Sequence, residues 1–300
     1  MKNWPKISIV TPSYNSANLI ELTIQSILDQ QYPNLDYIII DGGSTDDTVE
    51  IIKKYRNSLN YWYSGKDNGQ YDAINKGMSN ASGEILCWLN ADDMLLPRSL
   101  FIVAEIFDQL KDVEWISTLR PGIWDANSYL AKVGLMQGFS KDAFLDGLFL
   151  PGTNRVGYWI QQESTFWRRS LWEKVGSNVP DYKLAGDFAL WCEFFKHTLL
   201  YGVDYPLGGF RTIKGQRSED MTSYVAEARN ALDKLRGNSN WNGAFMRGLN
   251  FTRLAQIPKI NSLLFDKYSY SGLKICNKAL NTIGAEWEIM RYKFFPKVVN

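Results

Sequence analysis

The first ninety residues alternate short runs of β-branched residues with stretches whose apolar side chains recur every three or four positions. That alternation admits little besides a parallel α/β sheet built from βαβ units. Lys6–Thr11 (KISIVT) is the first strand-type run, stopped by Pro12 and the turn-prone Ser13–Ser16. Leu19, Ile20, Ile24, Ile27 and Leu28 then mark one helix face, with Asn18 and Glu21 at capping-box spacing before it and Pro33 beyond its end. Tyr37–Ile40 is a second buried-type strand, followed by Asp41-Gly42-Gly43-Ser44. Ser44 and Asp47 repeat the capping-box spacing ahead of a helix around Thr48–Tyr55. Leu59–Ser64 reads as a third strand, Gly69–Ser79 as a helix, and Glu84–Leu89 as a fourth strand running into Asn90-Ala91-Asp92-Asp93.

In such sheets ligands bind beyond the carboxyl ends of the strands. Here those ends carry Thr11–Asn15, Asp41–Ser44 and Asn90–Asp93, three polar clusters where a single cleft is expected. Residues 101–120 predict a helix and a strand, and 121–160 are rich in Gly, Pro and aromatics with little periodicity. Order returns at Gln161 with a short strand, a helix near Ser170–Val175 and an amphipathic helix over Asp187–Lys196. Residues 222–237 predict another helix, and 241–300 a helical, basic appendage. The expected organisation is one α/β domain over 1–220, divided into halves at about residue 100, and a helical C-terminal extension over 221–300.

Net charge is +1, which argues against a nucleic-acid binder acting through a general basic surface. The balance is uneven: 241–300 holds nine Lys/Arg against three acids, so the rest of the chain is acidic. Three cysteines, Cys87, Cys192 and Cys276, lie far apart, and His197 is the single histidine, so neither a zinc site nor a disulfide framework is expected. The strand pattern starts about six residues in, leaving no room for a signal peptide, and no apolar run approaches the ~20 residues of a membrane span. A cytoplasmic location is the expectation.

Asn90-Ala91-Asp92-Asp93 is the cluster with the most chemistry. Paired carboxylates at a strand end suit a hard divalent cation that leaves positions for phosphate oxygens. Alone, such a pair is more often a solvated loop that caps the next helix.

The surrounding segments change that balance. ISIVTPSYN (Ile7–Asn15), IIIDGGSTDDT (Ile39–Thr48), GQYDAINKG (Gly69–Gly77) and ASGEILCWLNADD (Ala81–Asp93) stand in the order and spacing of the family 2 glycosyltransferases, and the chain resembles that family. The resemblance is dense over the first hundred residues and sparser to about residue 220. It implies a GT-A fold, Rossmann-like with a mostly parallel sheet flanked by helices, and inverting transfer of a sugar from a nucleotide diphosphate. It implies donor binding by Thr11, Pro12, Tyr14, Asn15, Asp41, Gly69, Asp72, Asn75, Asn90, Ala91 and Asp92, and a Mn2+ or Mg2+ ion on Asp92 with Asp93 second. The chain departs from the common pattern at Asp41-Gly42, where many relatives have two aspartates, and at Asn90, where many have Asp. Asp41 has a second reading as a cap of the next helix, and Asp72 as an exposed helix carboxylate.

Inversion also needs a carboxylate on the acceptor side to take a proton from the attacking hydroxyl. Leu184–Trp191 resembles the family's helix start that carries this base, which makes Asp187 the first candidate and Glu163, before Phe166–Arg169, the second. Gly186 would give clearance at the helix entry, and the helix N-terminus would act on Asp187. Gly209-Phe210-Arg211 through Arg217 resembles a late element closing over the diphosphate. Ile213 stands where relatives often have His, leaving Arg211 or Arg217 to supply positive charge. No Gln-x-x-Arg-Trp of processive synthases occurs. The expected partners are a nucleotide-sugar donor, UDP-sugar first, and a saccharide or lipid-linked acceptor of bacterial surface polysaccharide synthesis. The basic tail with Tyr268, Tyr270, Trp287, Tyr292, Phe294 and Phe295 adds a possible contact with the inner face of the plasma membrane, or else packs on the core. A noncatalytic sugar-binding relative and an aspartate-based phosphohydrolase are the alternatives.

Overall fold

The computed structural model describes residues 3–151, 158–216, 220–237, 269–279 and 284–294. Its elements run β1 (Ile7–Ser13), α1 (Ile20–Leu28), β2 (Leu35–Asp41), α2 (Thr48–Lys54), β3 (Tyr61–Ser64), α3 (Gln70–Asn80), β4 (Ile85–Trp88), β5 (Met94–Leu95), α4 (Ser99–Gln109) and β6 (Trp115–Thr118). They continue with β7 (Gly122–Trp124), β8 (Leu130–Val133), α5 (Lys141–Leu145), β9 (Phe166–Arg168), α6 (Arg169–Lys174), α7 (Gly186–His197), β10 (Tyr201–Val203), β11 (Gly208–Arg211), α8 (Met221–Gly237), β12 (Tyr270–Asn277) and β13 (Trp287–Phe294).

Among the described residues the main sheet has the order β13-β12-β10-β6-β9-β4-β1-β2-β3. β1 pairs in parallel with β2 and β4, β2 with β3, and β10 with β6 and β12, while β9 and β13 run antiparallel to their neighbours. This is the mostly parallel, helix-flanked sheet expected. β1 and β4 are buried throughout, as continuous apolar strands covered on both faces should be. A small second sheet, β5-β11-β7-β8, sits beside the acidic turn that follows β4.

Helix positions match the periodicity, but both expected capping boxes are absent. No side chain caps α1 or α2 at the N-cap residue. Asp46 takes that part for both: its Oδ2 accepts the Ala17 N–H from the neighbouring loop (3.1 Å) and its Oδ1 the Thr48 N–H at the start of α2 (3.1 Å), while the Ser44 hydroxyl is held by Asp41.

The expected helix over 222–237 is present as α8, while the helical reading of the tail is corrected where it is described, at 269–279 and 284–294. β12 and β13 form an antiparallel hairpin that extends the main sheet, β12 lying parallel to β10. Tyr270, Ile275, Trp287 and Phe294 are buried in the core. β13 is buried only at its two ends, Trp287 and Phe294, and exposed through Ile289–Arg291 in the middle, so its sequence carries no clean alternation to mark a strand. Among the described residues, no helix is long and apolar enough to cross a membrane. Residues 238–268, including Tyr268, and Phe295 lie outside the described residues.

Candidate active site

β4 delivers the acidic turn. Its apolar residues fix the strand at the centre of the sheet, and the chain turns at Asn90-Ala91-Asp92-Asp93 before β5. Asp93 is almost fully buried: Oδ1 accepts the Arg211 N–H (3.0 Å) and Oδ2 the Asn90 side-chain amide (3.2 Å). Burial, and then the charges of Asp92 and Glu163, hold its carboxyl well above the usual range. Asp93 therefore ties the turn to β11. Asp92 is half-buried, and its Oδ2 accepts from the Gln216 amide (3.0 Å). It is the more accessible of the two.

Neutral amides brace this turn. Gln70, in the first turn of α3, donates to Asn90 Oδ1 (2.6 Å), and Asn90 donates to Gln162 Oε1 (3.2 Å), whose amide reaches the Trp88 carbonyl (2.6 Å). Gln216 also donates to the Arg211 carbonyl (2.7 Å) and accepts the Ile213 N–H (3.1 Å), folding the segment after β11 back over Asp92. Of the pair expected to supply positive charge, Arg217 lies outside the described residues. Arg211 is fully buried, and its Nε, Nη1 and Nη2 find no partner among the described residues. Burial lowers its pKa, while Asp92 and Asp93 oppose that shift. An unpartnered buried guanidinium beside two carboxylates is costly. It fits a site built for an anion and a cation together. Among the described residues no group of three or more His, Cys, Asp and Glu side chains is placed to hold a metal ion, and Asp92 is the carboxylate of this turn left accessible to a hard cation such as Mn2+ or Mg2+.

The acceptor-side acids converge on the same place. Asp187 occupies the first turn of α7. Its Oδ1 accepts the Phe188 N–H (2.7 Å) and the Tyr224 hydroxyl (3.2 Å). Burial pushes Asp187 up to about 6, against those hydrogen bonds. Glu227 of α8 accepts the Leu184 and Ala185 N–H groups (2.8 and 2.9 Å) and so caps the helix that carries Asp187. Gly186 is required by close approach, since a Cβ there would lie 2.8 Å from the Tyr71 ring. Tyr71 in turn donates to the Leu184 carbonyl (2.6 Å). Glu163 is buried on the 3-10 turn Gln162–Ser164 and accepts from the Gln161 amide. Burial pushes it up to about 8, reinforced by the charges of Asp92 and Asp187.

The expected donor residues divide into two groups. Thr11 and Pro12 lie inside β1 and are buried, with Thr11 bonded to the Tyr37 hydroxyl (3.1 Å). Asn15 holds the neighbouring loop through the Thr45 N–H (2.9 Å), and Asn75 accepts the Val179 N–H (2.8 Å). The Ala91 carbonyl accepts from Thr23 (2.9 Å), and Asp72 accepts the Asn68 N–H (2.9 Å) and pairs with Lys76 (2.9 Å). Asp41 is buried and caps its own loop. These contacts tie the loops and helices at the strand ends to one another. Tyr14, 62% exposed at the tip of the first loop, presents its ring outward. The residues missed in the sequence are Gln70, Gln161, Gln162, Gln216, Tyr224 and Glu227, whose roles depend on contacts between distant segments.

The comparisons agree with this architecture. The family model described as glycosyl transferase family 2 matches residues 8–177. An uncharacterized glycosyltransferase of Mycobacterium tuberculosis is 30% identical over 188 residues, 62% of this chain and 68% of that one. TuaG of Bacillus subtilis, which its name assigns to teichuronic acid biosynthesis, is 38% identical over 97 residues, 31% of this chain and 38% of TuaG. Among solved structures, residues 1–349 of S. aureus TarS bound to UDP-GlcNAc superpose with a TM-score of 0.61 at 18% identity, covering 88% of this chain and 76% of that one. A mannosyltransferase from Pyrobaculum calidifontis bound to GDP-Man and Mn2+ gives a TM-score of 0.52 at 15% identity, covering 87% and 86%. With the family model covering more than half its length, this chain belongs to glycosyl transferase family 2.

Proposed function

We propose that the protein is an inverting, metal-dependent glycosyltransferase. It takes a hexosyl or N-acetylhexosaminyl group from a nucleoside diphosphate sugar, a UDP-sugar first, and passes it to a saccharide or lipid-linked saccharide. The observation that carries this reading is the convergence of the half-buried Asp92 and the helix-borne Asp187 on Glu163, whose proton affinity responds to both. TuaG supports a setting in surface polysaccharide synthesis, and the GDP-Man and Mn2+ complex supports a divalent ion.

Asp92, with Asp93 behind it, would hold the ion. Bound there, a divalent cation neutralises charge growing on the departing diphosphate. Asp187 accepts the proton of the acceptor hydroxyl as its oxygen bonds to the anomeric carbon and the nucleoside diphosphate leaves. With its carboxyl at about 6, Asp187 is ionised at neutral pH yet remains a usable base. Glu163, pushed up to about 8 by burial, stays protonated at neutral pH. Tyr224 and the Glu227 cap keep the Asp187 carboxylate aimed.

The membrane part of the reading narrows. The Tyr270, Trp287 and Phe294 rings are buried, so a contact at the inner face of the plasma membrane would fall to the exposed Ile289, Met290, Arg291 and Lys293 of β13. The deciding experiment screens nucleotide sugars for donor hydrolysis with manganese and with EDTA. Metal-dependent release of one nucleoside diphosphate is expected, and its absence across UDP-, GDP- and dTDP-sugars would refute the reading.

A further inference from the structure

Burial alone would spoil Asp187 as a base, because a desolvated carboxyl keeps its proton. Hydrogen bonds to the anion oppose that, and they meet at Oδ1: the Phe188 N–H at 2.7 Å and the Tyr224 hydroxyl at 3.2 Å. The Tyr71 hydroxyl stands at 3.5 Å, but its proton serves the Leu184 carbonyl (2.6 Å). Among the described residues the Tyr224 proton has no acceptor besides Asp187. Burial, and then the Asp187 charge, hold the Tyr224 phenol well above its ordinary range, so it remains a donor wherever Asp187 titrates.

The fold of α8 sets this contact. Tyr224 and Glu227 lie one turn apart on the helix and so share a face. Glu227 grips the Leu184 and Ala185 N–H groups at the entry to α7 (2.8 and 2.9 Å). Farther along, Asn230 accepts the Tyr182 hydroxyl (2.9 Å) and Arg236 donates to the Leu145 carbonyl (2.6 Å). Ala228, Ala231, Leu232 and Leu235 bury the rest of that helix against the core. The other ionisable groups around Asp187 are Tyr71 of α3 and Glu163 of the 3-10 turn, the latter raised by burial and further by the charges of Asp92 and Asp187. Cys192 of α7 acts on Tyr224.

We infer that Tyr224 is a positioning residue for the base: its hydroxyl, delivered by α8, holds the Asp187 carboxylate ionised and ready for the acceptor's proton. A hydrogen bond donated to a carboxylate favours its charged form. Tyr224 keeps its own proton throughout. The proton of the acceptor hydroxyl passes to Asp187 as the acceptor oxygen bonds to the anomeric carbon and the nucleoside diphosphate leaves. The inference rests on the reading of Asp187 as the base and names the side chain that tunes it. α8 lies beyond residues 8–177, the stretch that carries the family match, so this device belongs to the chain's own C-terminal part.

The test reads Asp187 directly, by carbon NMR of protein labelled at its aspartate carboxyls, with the Asp187 resonance assigned by its loss in Asp187→Asn. Wild type should titrate at about 6. Tyr224→Phe removes only the hydroxyl and should move that midpoint up by about one to two pH units, the size of a hydrogen bond to a charged group. Tyr224→fluorotyrosine, with fluorine beside the hydroxyl, is a stronger donor of nearly the same shape and should move it down. Tyr71→Phe should move it less than Tyr224→Phe does. Hydrolysis of the sugar nucleotide selected by the donor screen gives the kinetic arm. Near neutral pH, Tyr224→Phe should lose about 2–10-fold in turnover relative to wild type and recover by about pH 9, with KM for the donor unchanged. A merely structural tyrosine would lower that ratio equally at every pH. An Asp187 midpoint unmoved in both Tyr224 variants would overturn this inference alone. Turnover retained in Asp187→Asn would overturn the base reading and the inference with it.

Discussion

The indole rings of Trp88 and Trp191 stack with centroids 5.9 Å apart and planes 5° from parallel. Trp88 ends β4, two residues before the acidic turn, and Trp191 lies one helical turn beyond Asp187 on α7. The stack fixes the distance between the proposed metal carboxylate and the proposed base through a rigid aromatic contact. Trp191 also stacks on Trp115 (5.4 Å) and meets Trp167 edge-on (6.1 Å), so four buried tryptophans share one cluster. The abundant aromatics of this chain serve the core first.

Trp191→Ala should therefore cost about 3–5 kcal/mol of stability, the range for emptying a large aromatic site. It should also lower turnover more than donor affinity, since α7 alone loses its seat. Denaturant unfolding together with UDP binding checks both. A loss under 1 kcal/mol would show that the cluster does not position the helix.

Asp92→Ala and Asp93→Ala should separate metal binding from structure. Asp92→Ala should remove the manganese-dependent part of UDP binding and abolish transfer with the thermal midpoint unchanged, because Asp92 is half-exposed and bonded only to Gln216 among the described residues. Asp93→Ala should destabilise the fold by roughly 1–3 kcal/mol, since it strands the buried Arg211 N–H. Calorimetry with and without manganese, beside thermal melts, distinguishes them.

Asp187→Asn should keep donor and metal binding and lose on the order of 10²–10⁴ in turnover, the usual share of a general base. In the wild type, kcat/KM should rise with pH through about 6, as the carboxyl whose proton burial favours gives it up. That limb should vanish in Asp187→Asn. A variant within about threefold of wild type, with Glu163→Gln inactive, would transfer the base role to Glu163.

The legible part of this molecule is the part built from neighbouring residues. Apolar runs located β1, β2 and β4 because strands buried on both faces need uninterrupted hydrophobic residues, and the acidic turn followed from the end of β4. Gly186 was also readable as clearance. The site's outer frame was not, because Gln70, Gln162 and Gln216 act only once segments from 20 to 124 positions away arrive beside them. Glutamine carries no period or charge to announce this. The tail failed for a different reason. Lys274, read as surface charge, turns toward Asp204 (3.1 Å), which also holds Arg120 (2.8 Å). A strand whose basic residues are paired and whose aromatics face the core resembles a basic amphipathic segment until its partner strand is known.

Glu163 gives a stability prediction whose sign follows from burial. Its folded-state value of about 8 lies above the ordinary 4.5, so the folded protein holds this proton more tightly than the unfolded chain does. The stabilisation is complete below about 4.5 and is lost as pH rises through about 8. Glu163→Gln keeps an oxygen acceptor for Gln161 and removes the titration. It should raise stability at pH 9 by roughly 1–3 kcal/mol relative to wild type, with little change at pH 5. Urea melts across that range test it, and parallel curves for the two proteins would show that Glu163 is not held protonated by the fold.

Truncation after residue 240 is the sharpest test of the tail. If 241–300 were a separable membrane anchor, the remainder would stay folded, bind UDP and lose only its affinity for anionic vesicles. The structure gives a different expectation. Removing β12 and β13 uncovers the edge of β10 and strips Tyr270, Ile275, Trp287 and Phe294 from the core, along with the Lys274 partner of Asp204. At about 1.5–3 kcal/mol for each large buried apolar side chain, the loss is comparable to the whole stability of an ordinary domain. A bare parallel edge also invites association between chains. The truncated protein should therefore be insoluble or aggregate on concentration. Replacing the exposed Ile289, Met290, Arg291 and Lys293 of β13 by Ser, Thr, Glu and Glu should leave it folded. Vesicle co-sedimentation of that fourfold variant then isolates surface contact from folding. A soluble truncation with wild-type UDP affinity would show that the hairpin is dispensable to the sheet.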